Sequence, residues 1–292
     1  MRVGIVVPQG LEGEYAGWEP ALAWQTIASV GRQAEELGFD SLWAYDHVGT
    51  FGEVRDLPSF EAFAVLGALV AATSRVRVGP LVARAGFRNP ALLARHVSSL
   101  DVISGGRMEL GLGAGATRGE ALAYGYPVPG GPARVARLRD ELEVVTRLLT
   151  DGRGTYEGEF ARIDGALNNP RGLQAPRIPI IVGGNGPSAR RLAAEFADEL
   201  NLDGPAPDDV RRTLPAILAA CEGVRRHPGS LALSVHVLPA HVAEPGEARV
   251  RLLAGYRDVG VDRVMALIRA SGRDPGALAL FARDARRAGA DL

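Results

Sequence analysis

The chain has 292 residues, of which 47% are hydrophobic and 23% charged, so it can bury a sizeable core and does not have the composition of a disordered protein. Its formal net charge of −1 argues against a nucleic-acid-binding surface. All 33 basic residues are arginines, which excludes lysine Schiff-base chemistry and a Walker-type phosphate-binding lysine.

The amino terminus leads directly into a strand-like run, Val3–Val7, without the charged and apolar segments of a signal peptide. No apolar run approaches the roughly 18 residues that a membrane span needs. The lone Cys221 lies in an apolar helical pattern and is expected in the core. We therefore expect a soluble cytoplasmic protein, with neither a membrane nor nucleic acid as partner.

Strand and helix patterns alternate along the chain. Strands are predicted to begin near Val3, Ser41, Val76, Arg107, Ile178, Asp198, Leu231 and Arg263. Helices are predicted over Leu22–Leu37, Glu61–Thr73, Pro90–Ile103, Arg134–Leu149, Pro187–Phe196, Asp208–Val224 and Gly246–Asp258. This alternation predicts an α/β protein with a single (β/α)8 TIM barrel over residues 1–292, and a doubly wound open sheet is the alternative.

One interval between strands is longer than the others. It lies between the fourth and fifth predicted strands and contains a full helix followed by Gly154–Arg177. That segment has turn residues and a loose alternation of Tyr156, Phe160 and Ile163. We interpret it as an excursion of about residues 154–177 inserted after the fourth helix, for which a hairpin is one possible form.

In a barrel, the functional residues are expected just after the strands. Asp46 and His47 follow the second predicted strand, and a carboxylate beside an imidazole can accept and donate protons near neutral pH. A helix cap or a turn is the alternative role for this pair. The third strand ends in the small apolar run Gly79–Ala83, which suits the face of a flat ring or simply a buried strand. Arg84 and Arg88 in the next loop could contact an anion.

Two glycine-rich turns follow later strands. Gly111, Gly113 and Gly115 come after the fourth strand, where backbone N–H groups could approach a phosphate with donors from Thr117 or Arg118. A Rossmann dinucleotide site is disfavoured, because this turn does not follow the first strand and the acidic residues about 20 positions further on lie within a helix. A tight turn without a ligand is the other alternative.

The second glycine turn, Gly183–Ser188, connects the fifth strand to a helix that begins with Pro187. This arrangement directs free N–H groups and the positive end of a helix at an anion. Two such turns in one chain favour a phosphate-bearing cofactor. The five histidines show no metal-ligand spacing, so no metal site is predicted, and there is no G-x-S-x-G nucleophile motif.

Three segments in this order resemble the luciferase-like monooxygenase superfamily, most closely its branch that uses the deazaflavin coenzyme F420. They are GFDSLWAYDHV, then VRVGPLVARAGFRNPALLARHVSSLDVISGGRMELGLGAG, then PRIPIIVGGNGPSARRLAAEFADELN. The resemblance covers about Met1–Asn201, whereas Asp208–Leu292 follows only the strand–helix pattern.

The resemblance implies a TIM barrel that carries an isoalloxazine-type ring at the carboxyl ends of its strands. It also implies a non-prolyl cis peptide in the third strand near Leu81–Val82, and an imidazole, His47, near the reactive carbon of the ring. The residues expected to bind the cofactor are Leu81, Val82, Ala83, Gly111, Gly113, Ala114, Gly115, Gly183, Gly184, Asn185 and Gly186. Sugar-phosphate dehydrogenases of the branch have a glutamate where this chain has Ala116, which argues against that activity.

The expected reaction is hydride transfer between a substrate carbon and F420, with His47 moving a proton and Asp46 orienting His47. An FMN-dependent monooxygenase and a non-catalytic flavin-binding barrel are the alternatives. The substrate is expected to contact the loops Gln9–Trp18, Thr50–Pro58 and Gly154–Asn169, whose aromatic residues suggest a partly apolar molecule. The resemblance also implies a homodimer.

Overall fold

The computed structural model describes residues 1–51, 55–115 and 117–292. Eleven strands occur in this part of the chain, in one parallel sheet and one antiparallel hairpin. They are β1 (Arg2–Val6), β2 (Ser41–Ala44), β3 (Arg77–Pro80), β4 (Ala83–Arg84), β5 (Leu110–Gly113), β6 (Arg153–Glu157), β7 (Arg162–Leu167), β8 (Ile180–Gly183), β9 (Glu199–Asp203), β10 (Ala232–Val237) and β11 (Arg263–Leu267).

The parallel sheet closes into a barrel. Its order is β3-β2-β1-β11-β10-β9-β8-β5-β4, and β3 and β4 are two halves of one barrel strand. They are separated by a cis peptide bond between Leu81 and Val82, at the position that the sequence resemblance implies. The lower half pairs with β2, a parallel bridge between Val78 and Met108 joins it to the residues before β5, and the upper half pairs with β5. The predicted α/β barrel is confirmed.

Helices connect the strands on the outside of the barrel. In the described residues they are α1 (Pro20–Glu36), α2 (Ala62–Ala72), α3 (Pro90–Ser104), α4 (Arg118–Ala123), α5 (Gly131–Asp151), α6 (Pro187–Phe196), α7 (Pro207–Gly223), α8 (Pro239–Val242), α9 (Glu247–Asp258) and α10 (Gly276–Arg287). None of these helices has both the length and the apolar character needed to cross a membrane.

Side-chain alternation along the strands divides the core into two layers. On β1, Val3 and Ile5 belong to the large apolar cluster between the sheet and the helices. Val6 belongs to a smaller cluster, which also holds Trp43 and Met265 from neighbouring strands. Because successive strand residues point to opposite faces, the smaller cluster fills the inside of the barrel. It closes the barrel beneath the carboxyl ends of the strands.

The predicted insertion is a hairpin, β6–β7, which runs along the outer side of α5. Asp140 of α5 accepts hydrogen bonds from the Tyr156 hydroxyl at 2.7 Å and from the Phe160 amide at 2.6 Å. Three helices, α4, α8 and α10, were not predicted. The fourth barrel strand begins at Leu110 and not near Arg107, because the residues before it only bridge to β3.

Candidate active site

A cavity of about 780 Å³ opens at the carboxyl ends of the barrel strands. It is lined by ten of the predicted site residues: Asp46, His47, Leu81, Val82, Gly113, Ala114, Gly115, Gly183, Gly184 and Gly186. The other predicted cofactor contacts, Ala83, Gly111 and Asn185, do not line it. Ala83 is buried, Gly111 packs under the carbonyl of Pro80, and Asn185 is hydrogen-bonded to the backbone of Asp203.

The glycines of β5 and β8 make room for the side chain that follows the cis peptide. A Cβ on Gly113 would lie 2.7 Å from the Cγ2 methyl of Val82, and a Cβ on Gly183 would lie 3.0 Å from the same methyl. Val82 therefore fits against these two strands only because they lack side chains there. The result is a smooth apolar wall between β4, β5 and β8.

His47 lies at the end of β2 and is held by a carboxylate that sequence reasoning missed. Its Nδ1 is 2.8 Å from Oε2 of Glu120, which lies in the short helix α4. The other oxygen of Glu120 accepts the backbone N–H groups of Val48 and Gly49, and Thr117 donates its hydroxyl to Oε2. Within the described residues, Nε2 of His47 has no hydrogen-bond partner.

The electrostatics of Glu120 determine what His47 can do. Burial raises the pKa of this carboxyl, but the hydrogen bonds and charge of His47, together with the Val48 amide and Thr117, outweigh burial and lower it. An ionised Glu120 keeps a proton on Nδ1 of His47. Neutral His47 then has its acceptor at Nε2, on a residue that lines the cavity.

Asp46 does not orient His47, so that part of the expected mechanism is corrected. Both oxygens of its buried carboxylate are engaged by Arg88, at 2.7 and 2.9 Å, and one also accepts the backbone N–H of Arg84 at 2.8 Å. A carboxylate satisfied in this way has no free oxygen directed at the imidazole. Asp46 instead ties the loop after β4 to the end of β2.

A second histidine site lies on the other side of the cavity. The hydroxyl of Tyr45 is 2.7 Å from Nε2 of His236 at the end of β10, and Nδ1 of His236 is 2.8 Å from Oδ1 of Asp203 at the end of β9. The sequence placed Asp203 and His236 after predicted strands, which was the available signal. It was missed because the two residues are 33 positions apart.

Positive charge is concentrated near the glycine turn after β5. Arg84 donates to the carbonyl of Thr117 at 2.9 Å, and Arg134 of α5 donates to the carbonyl of Gly115 at 2.8 Å. Nε of Arg134 is buried without a partner in the described residues. These guanidinium groups favour an anion at this side. Ala116, on which the argument against a sugar-phosphate dehydrogenase depends, lies outside the described residues.

The model of the luciferase-like monooxygenase family matches residues 1–290. The chain belongs to this family. Among curated members, an F420-dependent glucose-6-phosphate dehydrogenase of Microbacterium testaceum is 34% identical over 65% of this chain and 56% of its own length. A 5,10-methylenetetrahydromethanopterin reductase of Methanopyrus kandleri is 29% identical over 65% of this chain and 55% of its own. The matches thus span just over half the length of these two family members.

A solved structure agrees with the fold. An F420-dependent secondary alcohol dehydrogenase, solved with an F420–acetone adduct, superposes with a TM-score of 0.82. The superposition covers 98% of both chains at 19% sequence identity. At this identity the likeness establishes the barrel, and the chemistry has to be argued from the residues of the cavity.

Proposed function

We propose that this protein is an F420-dependent oxidoreductase that transfers a hydride between the deazaflavin and a small organic substrate. The observation that carries the proposal is His47 beside a glycine-lined cavity of about 780 Å³, held by Glu120 and with no partner for its Nε2 among the residues that the structure describes. The named F420-dependent relatives support the choice of cofactor.

The residues of the cavity fit a flat ring with an anionic tail. The wall of Leu81, Val82 and Gly113 is apolar, and its glycine adds no side chain that would project into the cavity. A Cβ built on Gly186 meets nothing within 4 Å, so the backbone before α6 is open to a ligand. The guanidinium groups near Gly115 supply the opposite charge for a phosphate. These residues would hold the ring and its tail.

When bound, a deazaflavin would supply two-electron hydride chemistry at a substrate carbon, in either direction. The protein has to manage the proton that remains on the substrate oxygen. Nε2 of His47 accepts that proton in oxidation and donates it in reduction, while ionised Glu120 stabilises the imidazolium that forms. Asp46 acts indirectly by fixing the loop of Arg84 and Arg88, and the apolar wall limits access of water.

A binding titration tests the choice of cofactor. Purified protein is titrated with F420 and, separately, with FMN, following intrinsic tryptophan fluorescence and the thermal midpoint. Cofactor at 100 times its Kd should stabilise the fold by about 2.7 kcal/mol. We expect F420 to bind selectively. Selective binding of FMN would contradict the proposal and favour the oxygen-dependent alternative, and binding of neither would remove the cofactor assignment.

Turnover separates an enzyme from a non-catalytic flavin-binding barrel. The absorbance of oxidised F420 is followed with a panel of small alcohols for wild type and His47→Asn. Turnover that is lost in the variant supports the proposal. Binding of F420 without any turnover by wild type would favour the non-catalytic alternative.

Two further features stay predictions. The sequence resemblance implies a homodimer, which analytical ultracentrifugation of the purified protein would test. A cytoplasmic location is expected from the sequence, and fractionation of the source cells would test it.

A further inference from the structure

The cavity contains a hydrogen-bonded chain that the proposed hydride transfer does not use. It runs from Tyr45 through His236 to Asp203, and all three residues line the cavity. Tyr45 is 8% exposed, whereas the Asp203 side chain is 66% exposed at the rim. The hydrogen bond from His236 lowers the pKa of Asp203, so the carboxylate is ionised and accepts from Nδ1–H.

This arrangement decides which way the Tyr45 hydroxyl points. With its proton on Nδ1, neutral His236 has an acceptor at Nε2, and Tyr45 donates to it. The phenolic oxygen then has lone pairs left to accept an O–H or N–H group of a ligand. Phe51 lies between the two histidine sites, with ring centroids 4.5 Å from His47 and 5.5 Å from Tyr45. An apolar ring therefore separates two polar positions.

The surroundings of Tyr45 disfavour negative charge. Burial raises the pKa of its hydroxyl, and the carboxylates of Glu12, Asp203 and Glu14 raise it further, against a smaller opposing effect of Arg269. The same field acts on the charge of any ligand that occupies this place. Arg269 and Glu12 form an ion pair and largely offset each other, so Asp203 is the carboxylate of the described cavity lining that has no arginine partner.

The part of the cavity at the glycine turn after β5 carries a guanidinium group. Among the described residues that line the cavity, arginine is represented by Arg84 alone, which is bonded to the carbonyl of Thr117 and lies 3.9 Å from Glu120. Arg84 lies next to Gly115, where we place the anionic tail of the cofactor. The cavity thus has a cationic side for the cofactor and an acidic, aromatic side that remains for the substrate.

We propose that Tyr45, His236 and Asp203 form the substrate subsite, and that it selects an uncharged substrate. The substrate carries a hydroxyl or N–H group that Tyr45 accepts, an apolar body against Phe51, and the reacting hydroxyl or carbonyl at His47. Substrates with a phosphate or carboxylate at the Tyr45 position are excluded. The assignment of the reacting group rests on the proposed function, whereas the selection by charge rests on the cavity alone.

Three probes of similar shape test this subsite by isothermal titration calorimetry, with and without saturating F420. They are cyclohexane-1,4-diol, cyclohexanol and 4-hydroxycyclohexanecarboxylate. The second hydroxyl should tighten binding of the diol about 2- to 10-fold over cyclohexanol, as expected for one added hydrogen bond. The carboxylate should bind at least about 10-fold more weakly than the diol because of the nearby acidic groups. Glucose 6-phosphate should not compete with the diol.

Variants connect these differences to particular residues. Tyr45→Phe should abolish the preference for the diol over cyclohexanol, and Glu12→Gln combined with Asp203→Asn should reduce the penalty on the carboxylate. Asp209→Asn is the matched control, because this α7 side chain is exposed, and it should change neither ratio. Carboxylate binding as tight as that of the diol, or ratios that the cavity variants leave unchanged, would overturn the proposal. Calorimetry without F420 tests the subsite even if F420 fails to bind, a result that counts against the proposed function only.

Discussion

The two ends of the barrel use buried charge in different ways. At the amino-terminal ends of the strands, Arg263 is 2% exposed by side chain and makes ion pairs with Glu199 at 2.6 Å, Glu109 at 2.7 Å and Asp40 at 3.0 Å. Its guanidinium also lies over the ring of Trp43 at 5.0 Å. We call this set the floor cluster.

The floor cluster also has buried atoms without a hydrogen-bond partner in the described residues, such as Nε of Arg263 and Oε1 of Glu199, but its residues do not line the cavity. At the carboxyl ends, by contrast, the position that a charged pair leaves open belongs to a residue of the cavity lining. Glu120 is saturated with hydrogen bonds, whereas Nε2 of His47 has no partner among the described residues and its residue lines the cavity. The floor cluster matches its positive charge with carboxylates and so stabilises the closed barrel. The comparison teaches that a buried charged group indicates a catalytic site where its hydrogen-bonded partner keeps a free donor or acceptor directed at a cavity.

The largest expected effect concerns His47. Asparagine retains a donor near the position of Nδ1 for Glu120 but removes Nε2, so kcat should fall about 10²- to 10⁴-fold, as for loss of a general acid–base. The thermal midpoint should change little. Steady-state kinetics with F420 and an accepted alcohol measure the effect, and His227→Asn, at an exposed site, is the control. A fall in stability equal to the loss of activity would assign His47 a structural role.

Next in size is the loss of Arg263. Arg263→Met removes the cation that Glu109 and Glu199 share, leaving Glu109 with Arg77 alone and Glu199 with the partly exposed Arg2 at 3.6 Å. Breaking such a buried network typically costs about 3–5 kcal/mol of unfolding free energy. Urea denaturation measures the change, with Arg212→Met as a control because that side chain is 71% exposed. A change below about 1 kcal/mol would mean that the floor cluster is not what stabilises this end of the barrel.

Glu120→Gln separates charge from hydrogen bonding at the cavity. Glutamine can still accept from the backbone N–H groups but cannot stabilise a protonated His47, so kcat should fall about 10- to 100-fold, as for a lost charged hydrogen bond. The acidic limb of the kcat/KM pH profile should move to lower pH. Glu143→Gln, on the outer face of α5, is the control. An unshifted profile would show that Glu120 does not act on the imidazole.

Over any single pH unit, the smallest effect is the pH dependence of stability from Glu141. This carboxyl accepts the N–H of Gly86 at 2.6 Å, and burial raises its pKa to about 8. Between about pH 4.5 and 8 the folded state holds a proton that the unfolded state has lost, so the free energy of unfolding falls as pH rises. The slope reaches at most about 1.4 kcal/mol per pH unit. Glu141→Gln should flatten the curve in urea titrations, and an unchanged slope would contradict this origin.

Much of the site could be predicted because barrels place ligands after their strands. That rule identified His47 and the two glycine turns, and the family resemblance implied the position of the cis peptide; these residues line or border the cavity. It also included the hairpin residues 154–169 among the expected substrate contacts, which was wrong. Those residues pack along α5, and none of them lines the cavity in the described part of the chain.

The partner of His47 could not be predicted from adjacency in the chain. Asp46 is its neighbour in sequence, but the backbone carries the two side chains in different directions, and Asp46 meets Arg88 in the next loop. Glu120 is 73 positions away in a short helix whose pattern is too brief to recognise. A long separation in sequence also concealed the hydrogen bond between Tyr45 and His236, which are 191 positions apart.

The amino-acid sequence by itself determined the alternation of strands and helices, the end of the barrel that carries the site, and the glycines that let Val82 pack against β5 and β8. These are local properties, set by hydrophobic period, turn residues and the absence of a side chain. Only the tertiary structure decided which carboxylate holds which histidine, and which carboxylates form ion pairs with Arg263 in the floor cluster. Closure of the sheet brings together charges from distant strands, and the burial that makes their pairing matter exists only after the barrel has formed.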